Sequence, residues 1–258
     1  MGETLWREDG WGWRARIGLL VPAADLGPES EFNAMTPPGV SIHATRVPFR
    51  AMAPGGAMDE AIPLAPVKAF GEPPFVDDAA ELLSEAPVHA IAYGFTSSSY
   101  TGSAEQDRAM AARLRERARD VPVVVPGTAA LRAIETLGAK HLALVSPPWF
   151  SDDLTKLGSE YFSQQGVDVV FAGSAQIPNG QRDFAPGALY EWVVANVPPS
   201  AGVVFMGGNG FRAIGVIETL ERQLGIPVLT ANQVLFWEAL QEAGARVAVD
   251  GYGAIFTN

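Results

Sequence analysis

Two loops carry the residues whose types and spacing could do chemistry, at residues 93–100 (YGFTSSSY) and 205–212 (FMGGNGFR). Each loop follows a short apolar run and is dense in glycine, serine or threonine. Segments of this kind can aim several backbone N–H groups and hydroxyls at one anionic ligand. We therefore predict an anion-binding site where the two loops meet.

The residue inventory excludes several kinds of site. The 258-residue chain has no cysteine, which removes disulfides, thiolate metal sites and thiol catalysis together. The three histidines, His43, His89 and His141, are far apart, and none forms a ligand-spaced pair with another histidine or a glutamate. His89 and His141 each precede an apolar run, which favours structural roles. We predict no metal and no cofactor.

Charge and hydropathy limit the classes of partner that the chain is expected to bind. A formal net charge of −11 argues against nucleic acid and anionic membranes. A small anionic substrate remains compatible, because a local site can be positive on a negative surface. No stretch approaches the ~20 apolar residues that a membrane span needs. Residues 1–16 are polar and rich in tryptophan, without the apolar region of a secretory signal, so we expect a cytoplasmic protein.

An internal repeat predicts the elements that position the two loops. In each copy a β-branched run leads into a helix that ends at glycine, and a second strand follows. The paired segments are 122–126 with 227–231, 137–145 with 243–249, 16–22 with 141–147, and 88–93 with 201–206. We predict two related α/β halves with parallel sheets, whose post-strand loops face one cleft between them.

The repeat also sets the expected domain limits. Residues 1–15 form an N-terminal extension, residues 16–120 with about 233–258 the first half, and residues 121–232 the second half. Three tryptophans in the extension, Trp6, Trp11 and Trp13, suggest docking onto another molecule, with a second copy of the chain as one candidate.

Three helices are predicted to flank the strands, two from the spacing of their apolar residues and one from its charged, arginine-rich composition. One spans residues 77–86 and buries a face of alanines and leucines that includes Leu82; a solvated one spans 104–118. The third spans 211–224 and buries Ile214, Ile217, Leu220 and Leu224. Residues 51–74 are rich in proline, glycine and alanine, which predicts a long loop or lid.

Taken together, three motifs resemble the aspartate/glutamate racemase superfamily. They are residues 18–24 (GLLVPAA), the loop with Thr96 and Ser97, and residues 208–228. The chain is most similar to the branch of arylmalonate decarboxylase and maleate cis-trans isomerase, from about Arg16 onward. The resemblance implies a pseudo-symmetric two-domain α/β fold with an anion-binding cleft between the halves.

The resemblance also shows which side chains have been lost. In racemases and isomerases of the superfamily, a cysteine follows a strand in each half, and these positions fall on Phe95 and Gly208. The decarboxylase branch is similar in keeping only the second cysteine, which reprotonates the carbanion. Its cleft also uses a tyrosine, whose place falls closest to Phe150. The three catalytic side chains of the family are therefore absent.

The resemblance implies that the chain retains the anion cradle, the set of hydroxyl and N–H donors that binds a substrate carboxylate. Thr96 and Ser97 match the hydroxyl and N–H donors of the family, and the N–H groups of Ser97, Gly208 and Asn209 would complete a dioxyanion hole. The first loop contributes Pro22, Ala23 and Ala24, which match the decarboxylase branch, and Asp25, near an asparagine of the isomerase branch.

Three further residues complete the candidate substrate contacts: Phe95, Ser98 and Arg212. The guanidinium of Arg212 is able to hold a substrate carboxylate with two hydrogen bonds. Its alternatives are an ion pair with Glu218 or Glu221, or simple exposure to solvent. Each of these candidates also has a purely structural interpretation. The serine-rich loop is then a helix cap, Tyr100 is an aromatic residue that packs in the core, and Asn209 is a turn residue.

Decarboxylation is the family activity least affected by these losses. Racemisation needs a proton donor and an acceptor on opposite faces of one carbon, and isomerisation needs a nucleophile. Decarboxylation needs donors that stabilise the remaining carboxylate, each typically worth ~10²–10³ in rate. An apolar wall of Phe95, Trp149 and Phe150 would help expel the departing carboxylate. We expect Tyr100 to protonate the product, with Asp25, Asp152 or water as alternatives.

Three hypotheses follow for the function. The leading one is a cofactor-free carbon–carbon lyase of decarboxylase type that acts on a small, malonate-like carboxylate. The second is a catalytically retired member of the superfamily that binds a dicarboxylate. The third is a cysteine-independent isomerase, or a hydrolase or β-eliminase that uses the cluster of Ser97, Ser98 and Ser99.

Overall fold

Two parallel four-stranded sheets form the framework in a computed structural model, which describes residues 9–56, 61–183 and 185–257. The first sheet contains β1 (Ala15–Pro22), β2 (Val40–Val47), β3 (Ala90–Tyr93) and β4 (Val123–Val124), in the order β2-β1-β3-β4. The second contains β5 (His141–Ser146), β6 (Asp168–Ser174), β7 (Val203–Met206) and β8 (Val228–Thr230), in the order β6-β5-β7-β8. The predicted fold class is confirmed.

Helices cover both sheets. In chain order they are α1 (Gly27–Met35), α2 (Leu64–Phe70), α3 (Phe75–Leu83), α4 (Thr96–Tyr100), α5 (Ala104–Arg117), α6 (Pro126–Thr136), α7 (Asp152–Ser163), α8 (Pro186–Asn196), α9 (Ile217–Leu224) and α10 (Ala231–Glu242). Short 3₁₀ segments occupy Ile214–Val216 and Ala254–Thr257. Within the described ranges, none of the helices has the length and apolar character that a transmembrane segment requires.

The central strands are apolar because helices cover both of their faces. All four residues of β3 and of β7 are buried, as are residues 17–22 of β1. Helix α6 carries the chain from β4 of the first sheet to β5 of the second, and α10 leads from β8 back to pack against β3 of the first sheet. The two helices also pack against each other. Thr230 and Gln233 form a capping box that starts α10 directly after β8. The sheets are therefore joined through a helical pair.

Two of the predictions for the repeat were wrong. Residues 243–249 form no strand, although their counterparts contain β5. The equivalent place in the first sheet is held by β1, which is paired on one side with β2 and on the other with β3. The strand Val123–Val124, which we placed in the second half, pairs with β3 of the first sheet. The first half thus extends to about residue 125.

The helix limits also differ in detail. Leu82 is 62% exposed, and the buried face of α3 consists of Val76, Ala79, Ala80 and Leu83. The segment 51–74, expected as a loop, contains α2. The helix predicted over 211–224 begins with a 3₁₀ turn, and Leu224 is only half-buried. Trp11 and Trp13 are exposed, while Trp6 lies outside the described residues.

Candidate functional site

The loops that follow β1, β3, β5 and β7 meet at one cavity between the two halves, called here the inner cavity. They supply Asp25 from the first loop, Phe95, Thr96 and Ser97 from the second, Trp149 and Phe150 from the third, and Gly208, Asn209 and Gly210 from the fourth. Parallel strands require this arrangement, because their carboxyl ends lie at the same edge of the sheet. Seven of the thirteen predicted site residues line this cavity.

The inner cavity is small and largely apolar. Its volume is about 20 Å3, which is room for about one water molecule. The ring of Phe95 packs against Phe70 at 4.2 Å and against Phe49 at 4.8 Å between centroids. Trp149 and Phe150 are also buried. A dicarboxylate therefore enters this space only when surrounding side chains move.

A covering segment, residues 48–56 and 61–63, lies over the inner cavity. It contributes Phe49, Met52 and Ile62 to the lining. The N–H of Ile62 donates to the carbonyl of Trp149 at 3.0 Å, so the first half reaches across to a loop of the second. This backbone contact ties the covering segment to the loop after β5.

Thr96 does not present its donors to the open cavity. Its N–H and its hydroxyl both donate to Oδ1 of Asn209, at 2.7 and 2.6 Å. The Asn209 amide in turn donates to Oδ1 of Asn232 at 2.7 Å, and all three residues are buried. Thr96, which we predicted as a substrate donor, is therefore a bridge between the first half and the loop after β7.

The same loop is fixed by Glu31, a buried carboxyl on α1. Its Oε1 accepts from the N–H groups of Ala213 at 2.7 Å and Ile214 at 3.1 Å. Its Oε2 accepts from the Asn232 amide at 2.7 Å. Burial raises the pKa of Glu31 to about 7, and these hydrogen bonds oppose that rise. A chain of polar contacts thus runs from α1 to the start of α4.

The donors left for an anion are on Ser97 and on the 208–210 loop. The N–H groups of Gly208, Asn209 and Gly210 bond to no acceptor in the part of the chain that the structure describes. Gly208 has a φ of +89°, which turns the chain at this point. The Ser97 hydroxyl, at the cavity surface, likewise forms no hydrogen bond with the described residues. These groups can form a cradle for a carboxylate.

Asp25 is the only residue with an ionisable side chain among the described residues that line the inner cavity. Its Oδ1 accepts from the N–H of Gly27 at 2.8 Å and from the Gln181 amide at 2.6 Å. Burial raises the pKa of Asp25 above its ordinary value, while the two hydrogen bonds oppose the rise. A buried carboxyl of this kind can hold a proton next to the cradle.

Tyr100, our first choice as proton donor, does not line the inner cavity. Its ring is 1% exposed and packs against Phe150 and Phe162, both at 6.2 Å between centroids. Its hydroxyl has no hydrogen-bond partner among the described residues, and burial raises its pKa. The short helix α4 carries Tyr100 away from Thr96 and toward α7. The aromatic interpretation therefore fits this residue.

Other predicted residues lie outside the inner cavity. Pro22 ends β1, and Ala23 donates to the carbonyl of Val47 at 2.8 Å. Ser98 donates to the carbonyl of Phe95 at 2.9 Å and lines a separate surface cavity. Ala24 and Arg212 line the larger cavity described below. Asp152 is an exposed acid in the first turn of α7.

Several residues of the site carried no usable sequence signal. Gln181 follows β6, and the repeat offered no marked loop there. Glu31 and Asn232 are polar residues on helices, and polar residues are normally exposed to solvent. None of the three histidines lines the inner cavity, and the described ranges contain no cluster of three or more histidine or acidic side chains placed to bind a metal ion.

Comparisons with known proteins point to one family. A family model described as arylmalonate decarboxylase matches residues 17–256. The arylmalonate decarboxylase of Bordetella bronchiseptica is 25% identical over 249 residues, which cover 93% of this chain and 95% of that protein. A maleate isomerase of Geobacillus stearothermophilus is 30% identical over 142 residues, which cover 53% of this chain and 55% of that protein. The solved maleate isomerase of Pseudomonas putida S16 has the same fold, with a TM-score of 0.80 at 21% identity, over 95% of this chain and 98% of that chain.

Proposed function

Because the chain belongs to the arylmalonate decarboxylase family, we propose that it is a cofactor-free lyase that removes one carboxyl group from a small, malonate-like carboxylate. The relatives named above are enzymes, a decarboxylase and a maleate isomerase. The observation that carries the choice between these reactions is Asp25, alone among the described lining residues in having an ionisable side chain.

A single ionisable group favours a reaction that moves one proton at the substrate carbon. Racemisation needs a second acid–base group on the opposite face, and isomerisation by addition needs a nucleophile. The positions that carry cysteine in related enzymes hold Phe95 and Gly208 here, and both line the inner cavity without an acid or a thiol. Decarboxylation followed by one protonation requires neither.

In the proposed reaction the bond between the central carbon and one carboxylate breaks, and carbon dioxide leaves. The electron pair of that bond moves into the remaining carboxylate and forms an enediolate. Ser97 and the N–H groups of the 208–210 loop stabilise the added charge, as preorganised donors do in oxyanion holes. The rings of Phe95 and Phe150 provide an apolar surface for the departing group.

Asp25 then protonates the carbon and is reprotonated from water. The side chain accepts two hydrogen bonds from the described residues, both at Oδ1, which leaves Oδ2 as the oxygen that carries the proton. Because burial raises the pKa of Asp25, the acid form persists to a higher pH than in a solvated aspartate. This is the property that a general acid near neutral pH requires.

The test is proton NMR in D2O with phenylmalonate, methylmalonate, n-butylmalonate and maleate. We expect at least one malonate to lose a carboxylate and gain deuterium at the new C–H bond. Asp25→Asn should stop this reaction, and Ser97→Ala should slow it by ~10²–10³. Conversion of maleate to fumarate, with the malonates unchanged, would contradict the proposal and favour an isomerase.

A retired, ligand-binding member of the family is the second candidate. The observation that favours it is the loss of the family catalytic side chains at Phe95, Phe150 and Gly208. The same NMR samples separate the two functions, because a binding protein would broaden the lines of a bound carboxylate without forming product.

A further inference from the structure

A second and larger cavity lies beside the inner one and is called here the outer cavity. Its volume is about 410 Å3, within the range of small-molecule sites, ~300–1,000 Å3. Its wall includes Leu26, Ala34, Pro186 and Ile214, which make it largely apolar. It therefore has room for a substituent that the inner cavity, at about 20 Å3, has not.

The two cavities share a wall. Gln181 lines both, and its amide donates to Oδ1 of Asp25, which faces the inner cavity. Ala24 and Gly27, the neighbours of Asp25 in the loop after β1, line the outer cavity. A ligand in the outer cavity is thus separated from the proposed proton donor by one side chain.

Two arginines, Arg182 and Arg212, line the outer cavity. Arg212 donates from one guanidinium nitrogen to the carbonyl of Gln181 at 2.9 Å. Arg182 is exposed and forms no hydrogen bond or ion pair with the described residues. The acid that lines the cavity, Glu31, already accepts three hydrogen bonds.

We propose that the outer cavity binds the substituent of the malonate-like substrate, and that this substituent is an aliphatic arm ending in a carboxylate held by Arg182. The inference rests on the proposed function for the reaction, but its binding site stands on the geometry of the outer cavity. The apolar wall suits a short methylene chain. A guanidinium suits a terminal carboxylate, since it offers two parallel N–H donors.

Binding of two unreactive acids tests the arm without requiring turnover. Adipate and hexanoate are the products expected from (3-carboxypropyl)malonate and n-butylmalonate, and they differ by the terminal carboxylate. Calorimetry should show that the full chain binds adipate about tenfold more tightly than hexanoate, the effect of about one charge-assisted hydrogen bond. Arg182→Ala should abolish this preference and leave hexanoate binding unchanged.

Arg115→Ala is the matched control, because it removes the same charge from an exposed position on α5. It should keep the preference for adipate. Equal binding of the two acids by the wild-type chain, a preference that survives Arg182→Ala, or no saturable binding of either acid would each overturn the inference.

The NMR assay, run with (3-carboxypropyl)malonate and n-butylmalonate beside the calorimetry, separates this inference from the proposed reaction. If the chain prefers adipate through Arg182 but decarboxylates neither malonate, the arm site stands and the lyase fails. If n-butylmalonate is decarboxylated without any preference for adipate, the lyase stands and the arm site fails.

Discussion

Oδ1 of Asn209 accepts both polar hydrogens of Thr96, from the N–H at 2.7 Å and from the hydroxyl at 2.6 Å. The two residues belong to different halves of the molecule, and both are buried. The amide oxygen of Asn209 therefore accepts the hydrogen bonds that Thr96 was expected to donate to a substrate carboxylate. The pairing fixes the start of α4 against the loop whose free N–H groups form the proposed cradle.

Thr96→Val should weaken this bridge and keep the shape of the side chain. Loss of one buried hydrogen bond is expected to lower the free energy of unfolding by about 1–2 kcal/mol. Turnover should fall because the 208–210 loop loses one support, and Thr96→Ser should restore both. Urea unfolding and the NMR assay measure the two effects. Abolished turnover with unchanged stability would instead indicate direct contact between Thr96 and the substrate.

Asp25→Asn should be inactive and, at neutral pH, more stable than the wild type. The folded-state pKa of Asp25 lies above its unfolded value because of burial. Its contribution to stability is therefore complete below the unfolded pKa and is lost as pH rises through the folded pKa. The amide carries no charge and escapes this loss. Thermal unfolding measured from pH 4 to pH 8 tests this prediction. Equal melting temperatures of the variant and the wild type at every pH would contradict it.

Glu31→Gln should remove a second contribution to the pH dependence of the free energy of unfolding. The pKa of Glu31 is raised from 4.5 to about 7 by burial, so the wild type loses roughly 3 kcal/mol as pH rises through this window. The glutamine variant lacks that slope. It also starts lower, because its amide turns one N–H group toward the Asn232 amide, also a donor.

The difference in unfolding free energy between wild type and Glu31→Gln should therefore shrink as pH rises from 5 to 8. The two carboxyls interact, because the pKa of Glu31 is raised by burial and also by the charge of Asp25, so the same comparison made in the Asp25→Asn background isolates the titration of Glu31. A difference that stays constant over the range would show that Glu31 does not titrate there.

Tyr161→Phe should weaken another contact between the halves, from α7 to α5. The Tyr161 hydroxyl donates to Oδ2 of Asp107 at 2.7 Å. Burial raises the pKa of Asp107 to about 6. The charged carboxylate present above that pH depends most on the lost donor, so the variant should be destabilised by about 1–3 kcal/mol at pH 8 and by less at pH 5. Tyr190→Phe, on α8, is the control.

Gly208→Ala should destabilise the chain by about 1–3 kcal/mol. The residue has a φ of +89°, and an added Cβ would lie 2.9 Å from Cγ of Pro147. Gly208→Cys meets the same obstacle, so we expect that a single substitution will not restore a well-placed thiol. Gly215→Ala is the control, since its Cβ would meet no atom within 4 Å. Unchanged melting temperatures for both Gly208 variants would contradict this prediction.

The local sequence pattern predicted where strands and helices lie along the chain better than it predicted which elements they pair with or pack against. The β-branched runs and glycine stops located most strands and helices, because strand and helix periodicity depends on residues close in sequence. Residues 243–249 have a strand-like composition but form no strand, because β1 already fills the position they would take. Leu82 has the spacing of a buried residue and is exposed, because α3 turns a different face to the sheet.

The sequence by itself determined the two-half parallel fold and the loops that meet in its cleft, because carboxyl strand ends share one edge. The tertiary structure decided the role of each loop residue. Tyr100 is buried in the core, and Asp25 lines the inner cavity. Thr96 is hydrogen-bonded to Asn209, which lies 113 residues further along the chain. These outcomes depend on how the two halves dock, since a buried polar group takes the partner that the docked surface provides.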